Sequence, residues 1–159
     1  MKERKKVLWV IGDSTLSSFN DKYYYPRYGY GTKLAAYLDD AVEVKNIALS
    51  GRSSKSYTTE PQYKELTGGM QKGDFLLIGF GHNDEKTEEA RFTSARGDYK
   101  TAGSFAASLY DNYIVPAQKA GCQVILCTPI VRRTKTGEWN AQDLHVTQDF
   151  GTYPEIGRA

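Results

Sequence analysis

Four short apolar runs, at residues 7–11, 41–47, 74–80 and 123–128, constrain the fold of this chain more than any other feature. The first, Val7-Leu8-Trp9-Val10-Ile11, is rich in β-branched residues and reads as the opening strand of an α/β domain. Helix-like stretches lie between the runs. Residues 30–39 place Leu34, Tyr37 and Leu38 at helical spacing, and residues 102–120 do the same with Phe105, Leu109, Tyr113 and Ala117. Pro116 is positioned to kink the last turn of that second helix, and residues 63–70 read as a short helix ending at Gly68-Gly69. Strands alternating with helices imply βαβ crossovers, hence a parallel sheet with helices on both faces. A length of 159 residues suits one domain with a real core, and no repeat or linker divides it.

Open α/β sheets bind ligands at the carboxyl ends of their strands. Three polar clusters occupy that position: Gly12-Asp13-Ser14-Thr15, then Asn46-Ile47-Ala48-Leu49-Ser50-Gly51-Arg52-Ser53-Ser54, then Gly81-His82-Asn83-Asp84. A serine hydrolase needs a nucleophilic oxygen, a base to take its proton, and donors aimed at the developing oxyanion. Ser14 can supply the oxygen. Its own backbone N–H, the N–H of Gly51 and the side-chain amide of Asn83 can supply three donors, the last because an amide donates without titrating. Asp13, adjacent to Ser14, is better placed to brace the loop than to orient a base.

These blocks, with Pro26, Gly29-Tyr30-Gly31 and Gly79-Phe80 between them, resemble the SGNH (GDSL-type) hydrolases, and within them the rhamnogalacturonan acetylesterases. The resemblance implies a flavodoxin-like three-layer α/β/α sandwich with a parallel sheet. It also implies ester hydrolysis by Ser14 as nucleophile, with Gly51 and Asn83 completing the oxyanion hole and no metal or cofactor. The implied substrate is an acylated carbohydrate of plant cell-wall type. Tyr30 stands where that group commonly has tryptophan, and Tyr30 and Arg52 are the candidate substrate contacts. A binding protein of the same fold without turnover is the alternative, and a phosphate or flavin cradle at the Ser14 loop leaves Gly51 and Asn83 without a purpose.

The family's fourth block, Asp-x-x-His, does not occur in these residues. His82 and His145 are the only histidines. His82 sits beside the oxyanion asparagine, and neighbours on an extended segment point opposite ways, so it is expected to face away from the site. Asp143-Leu144-His145 has the wrong spacing. Residues 151–156 read as a helix start, with Pro154 in its first turn. Together these features suggest a chain lacking a fifth strand, the last helix and the catalytic histidine. The edge of the strand at residues 123–128 would then need cover from a retained C-terminal piece or a second chain.

The remaining features carry less chemistry. Tyr23-Tyr24-Tyr25-Pro26-Arg27-Tyr28 can form a sugar platform or pack as core and rim. Arg52 can meet an acidic sugar or pair with a neighbouring carboxylate. Residues 85–96 read as a solvated loop or flap, and Arg132-Arg133-Thr134-Lys135 as a solvated turn. A net charge of +2 is too small to suggest nucleic acid, and Lys2, Arg4, Lys5 and Lys6 read as a solvated tail. The apolar run after them falls short of the roughly 7–15 residues of a secretory core, and nothing reaches membrane-spanning length. Cys122 and Cys127 fall on opposite faces of one strand and cannot bridge, so buried free thiols point to a reducing, cytoplasmic setting.

Overall fold

Successive side chains on a strand point to opposite faces, and in β1 (Lys6–Gly12) both sets are apolar and buried from Val7 onward. The computed structural model describes residues 4–19 and 26–130 and the short strands at 146–147 and 151–152. On one side of β1, Val7, Trp9 and Ile11 join Leu76, Ile78 and Phe80 against Tyr57, Leu66 and Tyr113. On the other, Leu8 and Val10 join Leu77, Leu16 and Ala48, with Leu34 and Val44 packed alongside. A strand buried on both faces belongs inside a parallel sheet, and that is where β1 sits. β2 (Val42–Asn46), β3 (Phe75–Gly79) and β4 (Gln123–Leu126) complete a parallel sheet in the order β2-β1-β3-β4. The expected α/β architecture is observed.

The helices differ from expectation in detail. α1 (Pro61–Gly69) starts with proline in its first turn and ends at the expected glycines. Tyr30–Tyr37 is a 3-10 helix rather than an α-helix. The stretch over 102–120 begins at Ser104, whose hydroxyl accepts from Ala107 N at 2.9 Å, and runs as α2 (Phe105–Leu109), a π-helical turn (Tyr110–Ile114) and α3 (Val115–Ala120). Pro116 lacks the N–H that an α-helix would direct at the carbonyl of Asn112. That carbonyl accepts instead from the Tyr63 hydroxyl of α1, at 3.0 Å. The irregularity therefore falls in the turn before Pro116 rather than in the last turn.

One expectation about the ends is corrected. Arg4 is no solvated tail residue: its guanidinium grips the Asp74 carboxylate with both nitrogens, at 2.8 and 2.7 Å. Val7 N and Gln71 N donate to the same buried carboxylate at 3.0 Å each, and Trp9 Nε1 at 3.3 Å. Burial alone would raise this carboxyl, but Arg4 and the N–H donors prevail and hold it at about 2. At the other end, β5 (Val146–Thr147) and β6 (Gly151–Thr152) pair antiparallel, and residues 153–156, on which the expected first helical turn falls, lie outside the described residues.

Among the described residues β2 and β4 are the sheet's edge strands, and on β4 Ile125 and Leu126 are each 42% exposed. Cys122 packs into the first core and Cys127 against the second, on opposite sides of the sheet and unbridged. At the carboxyl ends of β1 and β3 Gly12 is paired with Gly79. A Cβ on Gly12 would lie 2.3 Å from the Gly79 carbonyl oxygen, on a backbone with φ +154°. Gly12→Ala is therefore expected to destabilise the protein by about 3 kcal/mol, read as a lower midpoint in urea unfolding.

Candidate active site

Backbone pairing continues past the strand ends and delivers the three polar clusters side by side. Ile47 N donates to Val10 O at 2.9 Å and Leu49 N to Gly12 O at 3.0 Å, while Asp13 N donates to Gly79 O at 3.3 Å. Because β1 lies between β2 and β3, the Ser14 turn emerges between the segments carrying Gly51 and Asn83. The turn itself is held by Leu16 N and Ser17 N, both donating to Asp13 O at 3.1 Å. The buried Asp13 carboxylate accepts from Thr15 N at 2.9 Å and Thr15 Oγ1 at 2.8 Å through one oxygen. That is the bracing role expected of it.

Ser14, half-buried, lines an open cleft of about 540 Å3 together with Ser50, His82, Arg27 and Tyr28. Gly51 follows Ser50 with φ +77°, and a Cβ there would meet nothing within 4 Å. Conformation rather than space calls for glycine at that point. Asn83 is 8% exposed, and its amide is fixed from both ends. Nδ2 donates to Arg52 O at 3.1 Å, and Arg91 Nη1 donates to Oδ1 at 3.4 Å. An amide nitrogen carries two hydrogens, and the Arg52 carbonyl takes one of them.

Beneath this surface lies a network that the sequence did not announce. Asp84 is fully buried and accepts from Ser54 N at 3.0 and 3.1 Å, from Ser54 Oγ, and from Thr93 Oγ1 at 2.9 Å. Ser54 Oγ also shares a 2.8 Å hydrogen bond with Ser108 Oγ, and the Tyr113 hydroxyl donates to Ser54 O. The Gly51 segment, the Asn83 segment and the α2–α3 helix are thereby tied at one carboxyl. Burial pushes that carboxyl up to about 7; the Ser54 and Thr93 donors oppose the rise and Asp13 adds to it. The signal available was the Ser53-Ser54 pair, whose hydroxyls are both buried.

Three expectations change here. His82 does not face away: it lines the cleft, and its Nε2 lies 3.0 Å from Ile130 O, while Asn83 is the more buried of the two. The segment after Asp84 is turn-rich and leaves the regular extended path on which alternation depends. Residues 85–96 are also more than a solvated flap, since Arg91 holds Asn83, Thr93 holds Asp84 and Ala95 sits in the core. Of the expected site residues Ser14 alone lines the cleft; Gly51 and Asn83 are represented there by their chain neighbours Ser50 and His82, and Tyr30 and Arg52 are not part of the lining. Burial, with Cys127 and Asp13 nearby, pushes the Tyr30 hydroxyl above its ordinary range. Arg52 Nε is hydrogen-bonded to the Glu60 carboxylate, so of the two readings of Arg52 the observed contact is the ion pair. Tyr23-Tyr24-Tyr25, residues 132–135 and His145 lie outside the described residues.

Comparison with known proteins places this geometry in context. Residues 8–151 match the model of the family described as GDSL-like Lipase/Acylhydrolase. The chain is 29% identical over 126 residues to the probable rhamnogalacturonan acetylesterase YesY of Bacillus subtilis, covering 79% of this chain and 54% of that protein. It is 26% identical to rhamnogalacturonan acetylesterase RhgT of the same organism, over 100% of this chain and 62% of the relative. A rhamnogalacturonan acetylesterase of Emericella nidulans is 35% identical over 79 residues, 50% of this chain and 29% of that one. The chain thus spans between about a third and three fifths of the length of these relatives. In fold it resembles the crystal structure of Bacillus subtilis YxiM, with a TM-score of 0.70 and 18% identity over 97% of this chain and 40% of that one.

Proposed function

We propose that this chain, which belongs to the GDSL-like lipase/acylhydrolase family, carries the nucleophile and oxyanion half of a carbohydrate acetylesterase acting on pectic oligosaccharides. The observation that carries the reading is the placement of Ser14 in a cleft between the Gly51 and Asn83 segments, at the carboxyl edge of the sheet. Three relatives named rhamnogalacturonan acetylesterase support the choice of substrate.

In this reading Ser14 Oγ attacks the acetyl carbonyl and the sugar hydroxyl leaves, giving an acetyl-serine that water then hydrolyses. The negative charge on the tetrahedral oxygen is met by the Ser14 and Gly51 N–H groups and by the remaining hydrogen of Asn83 Nδ2. Arg91 and the Arg52 carbonyl hold that amide at a fixed angle, so little reorganisation accompanies charge development. The proton of Ser14 needs an acceptor, and these residues hold no Asp-x-x-His. The base is assigned to chain beyond these 159 residues, which would also cover the β4 edge. A carbohydrate-binding role without turnover is the second reading, favoured only by the missing motif.

Acetate release from acetylated rhamnogalacturonan oligosaccharides by the protein joined to its natural C-terminal sequence separates the two. Within that assay Asn83→Ala is expected to lower kcat about 10²–10³-fold, as loss of one oxyanion donor does, with a much smaller change in KM. An unchanged kcat would remove Asn83 from the oxyanion hole.

A further inference from the structure

We infer that Arg27, not Arg52, is the residue through which the Ser14 cleft recognises an acidic saccharide, by pairing with the carboxylate of a uronic acid unit near the acylated sugar. The inference rests on the pectic reading above for its substrate, but on different residues and a different measurement. A cleft of about 540 Å3 is far larger than an acetyl group, so most of it is open to the alcohol side of the ester. Beyond Ser14 its walls include Phe19, Pro26 and Tyr28, with Tyr28 60% exposed. Flat apolar and aromatic surface of this kind suits the C–H faces of a pyranose ring.

Charge then selects among pyranoses. The described residues lining the cleft include one guanidinium, that of Arg27, and no carboxylate. Lys33 Nζ stands 4.9 Å from the centre of the Tyr28 ring, behind the lining rather than in it, and adds positive charge next to that wall. Two other arginines at this end of the sheet are already ion-paired, Arg52 with Glu60 and Arg91 with Glu88, and neither is part of the cleft lining. A guanidinium can meet a carboxylate through two parallel hydrogen bonds. In an exposed cleft such a pair changes affinity about three- to tenfold.

Calorimetric titration tests this with a rhamnogalacturonan oligosaccharide and with the same oligosaccharide after its carboxyl groups have been reduced to alcohols. In the Ser14→Ala background, which removes turnover, the acidic form is expected to bind about three- to tenfold more tightly, with the margin shrinking as salt is raised. Arg27→Gln should erase the preference and Arg27→Lys should keep part of it. A preference that survives Arg27→Gln, that is absent with Arg27 in place, or that disappears in Arg52→Gln instead would overturn the assignment. Acetate release, measured separately on both acetylated oligosaccharides with Ser14 intact and with the C-terminal sequence joined as in the assay above, distinguishes the two claims. No release with an Arg27-dependent preference sinks the esterase reading alone; release with no preference for the acid sinks the Arg27 assignment alone.

Discussion

Replacing Ser14 by alanine is expected to reduce acetate release to background, a loss of about 10⁴–10⁶-fold in kcat, while leaving the protein folded. The size follows from what is removed. Without the hydroxyl there is no acyl-enzyme route, and only binding and the oxyanion donors remain to accelerate attack by water. The fold should tolerate the change because Ser14 is half-exposed and the turn carrying it is braced by others. Thr15 bonds Asp13, and Leu16 N and Ser17 N cap the Asp13 carbonyl. Urea unfolding of Ser14→Ala is expected to fall within about 0.5 kcal/mol of the parent protein. Substantial acetate release by this variant, with the melting behaviour intact, would show that Ser14 is not the nucleophile.

The second large effect is in stability against pH, and it comes from two buried carboxyls shifted in opposite directions. Asp84 titrates near 7 in the folded chain, well above the usual carboxylate value near 3.9 in the unfolded one. Between about pH 4 and pH 7 the folded protein therefore holds a proton that the unfolded chain has released. Unfolding becomes easier as pH rises through that window, by about 2–4 kcal/mol in all. Asp74 works the other way. Its folded-state value of about 2 means that it contributes stability above the unfolded value, lost as pH falls from about 4 toward 2. The two slopes together place the stability maximum near pH 4–5. Asp84→Asn stays neutral throughout, so it should cost stability at pH 5 and much less at pH 8. Urea midpoints across this range check the claim, and parallel curves for the parent and Asp84→Asn would contradict it.

Such a maximum has a functional reading as well. The charge that appears on Asp84 above neutrality would fall on the contact joining the Ser54 backbone to the segment carrying Asn83. The Ser54 and Thr93 donors favour that charge and burial opposes it, so the titration acts between both proposed oxyanion segments without touching Ser14.

Local periodicity and strand-end punctuation were enough to read much of this protein. The continuous apolar run of β1, the four strands and their parallel arrangement followed from patterns that span a few residues. So did the position of Ser14 on a strand tip, the bracing by Asp13 and the separation of Cys122 from Cys127. Helix type was less legible, because the π turn depends on Tyr63 of α1 taking the carbonyl that Pro116 leaves unpaired. That bond joins residues far apart in sequence, and no local pattern encodes it.

The candidate site divides along the same line. The sequence by itself determined which residue types could form a nucleophile and its donors, and that their segments follow strands, because both are properties of short stretches of chain. Only the tertiary structure decided which charged groups are available to a ligand. Arg4 and Arg52 look as free in the sequence as Arg27 does, yet the first grips Asp74 and the second pairs with Glu60. Asp84 looks like part of a surface motif and is instead enclosed by Ser54, Thr93 and Tyr113. The physical reason is that a charge acts through its distance to partners and its access to water. Both are set by packing between segments that lie dozens of residues apart.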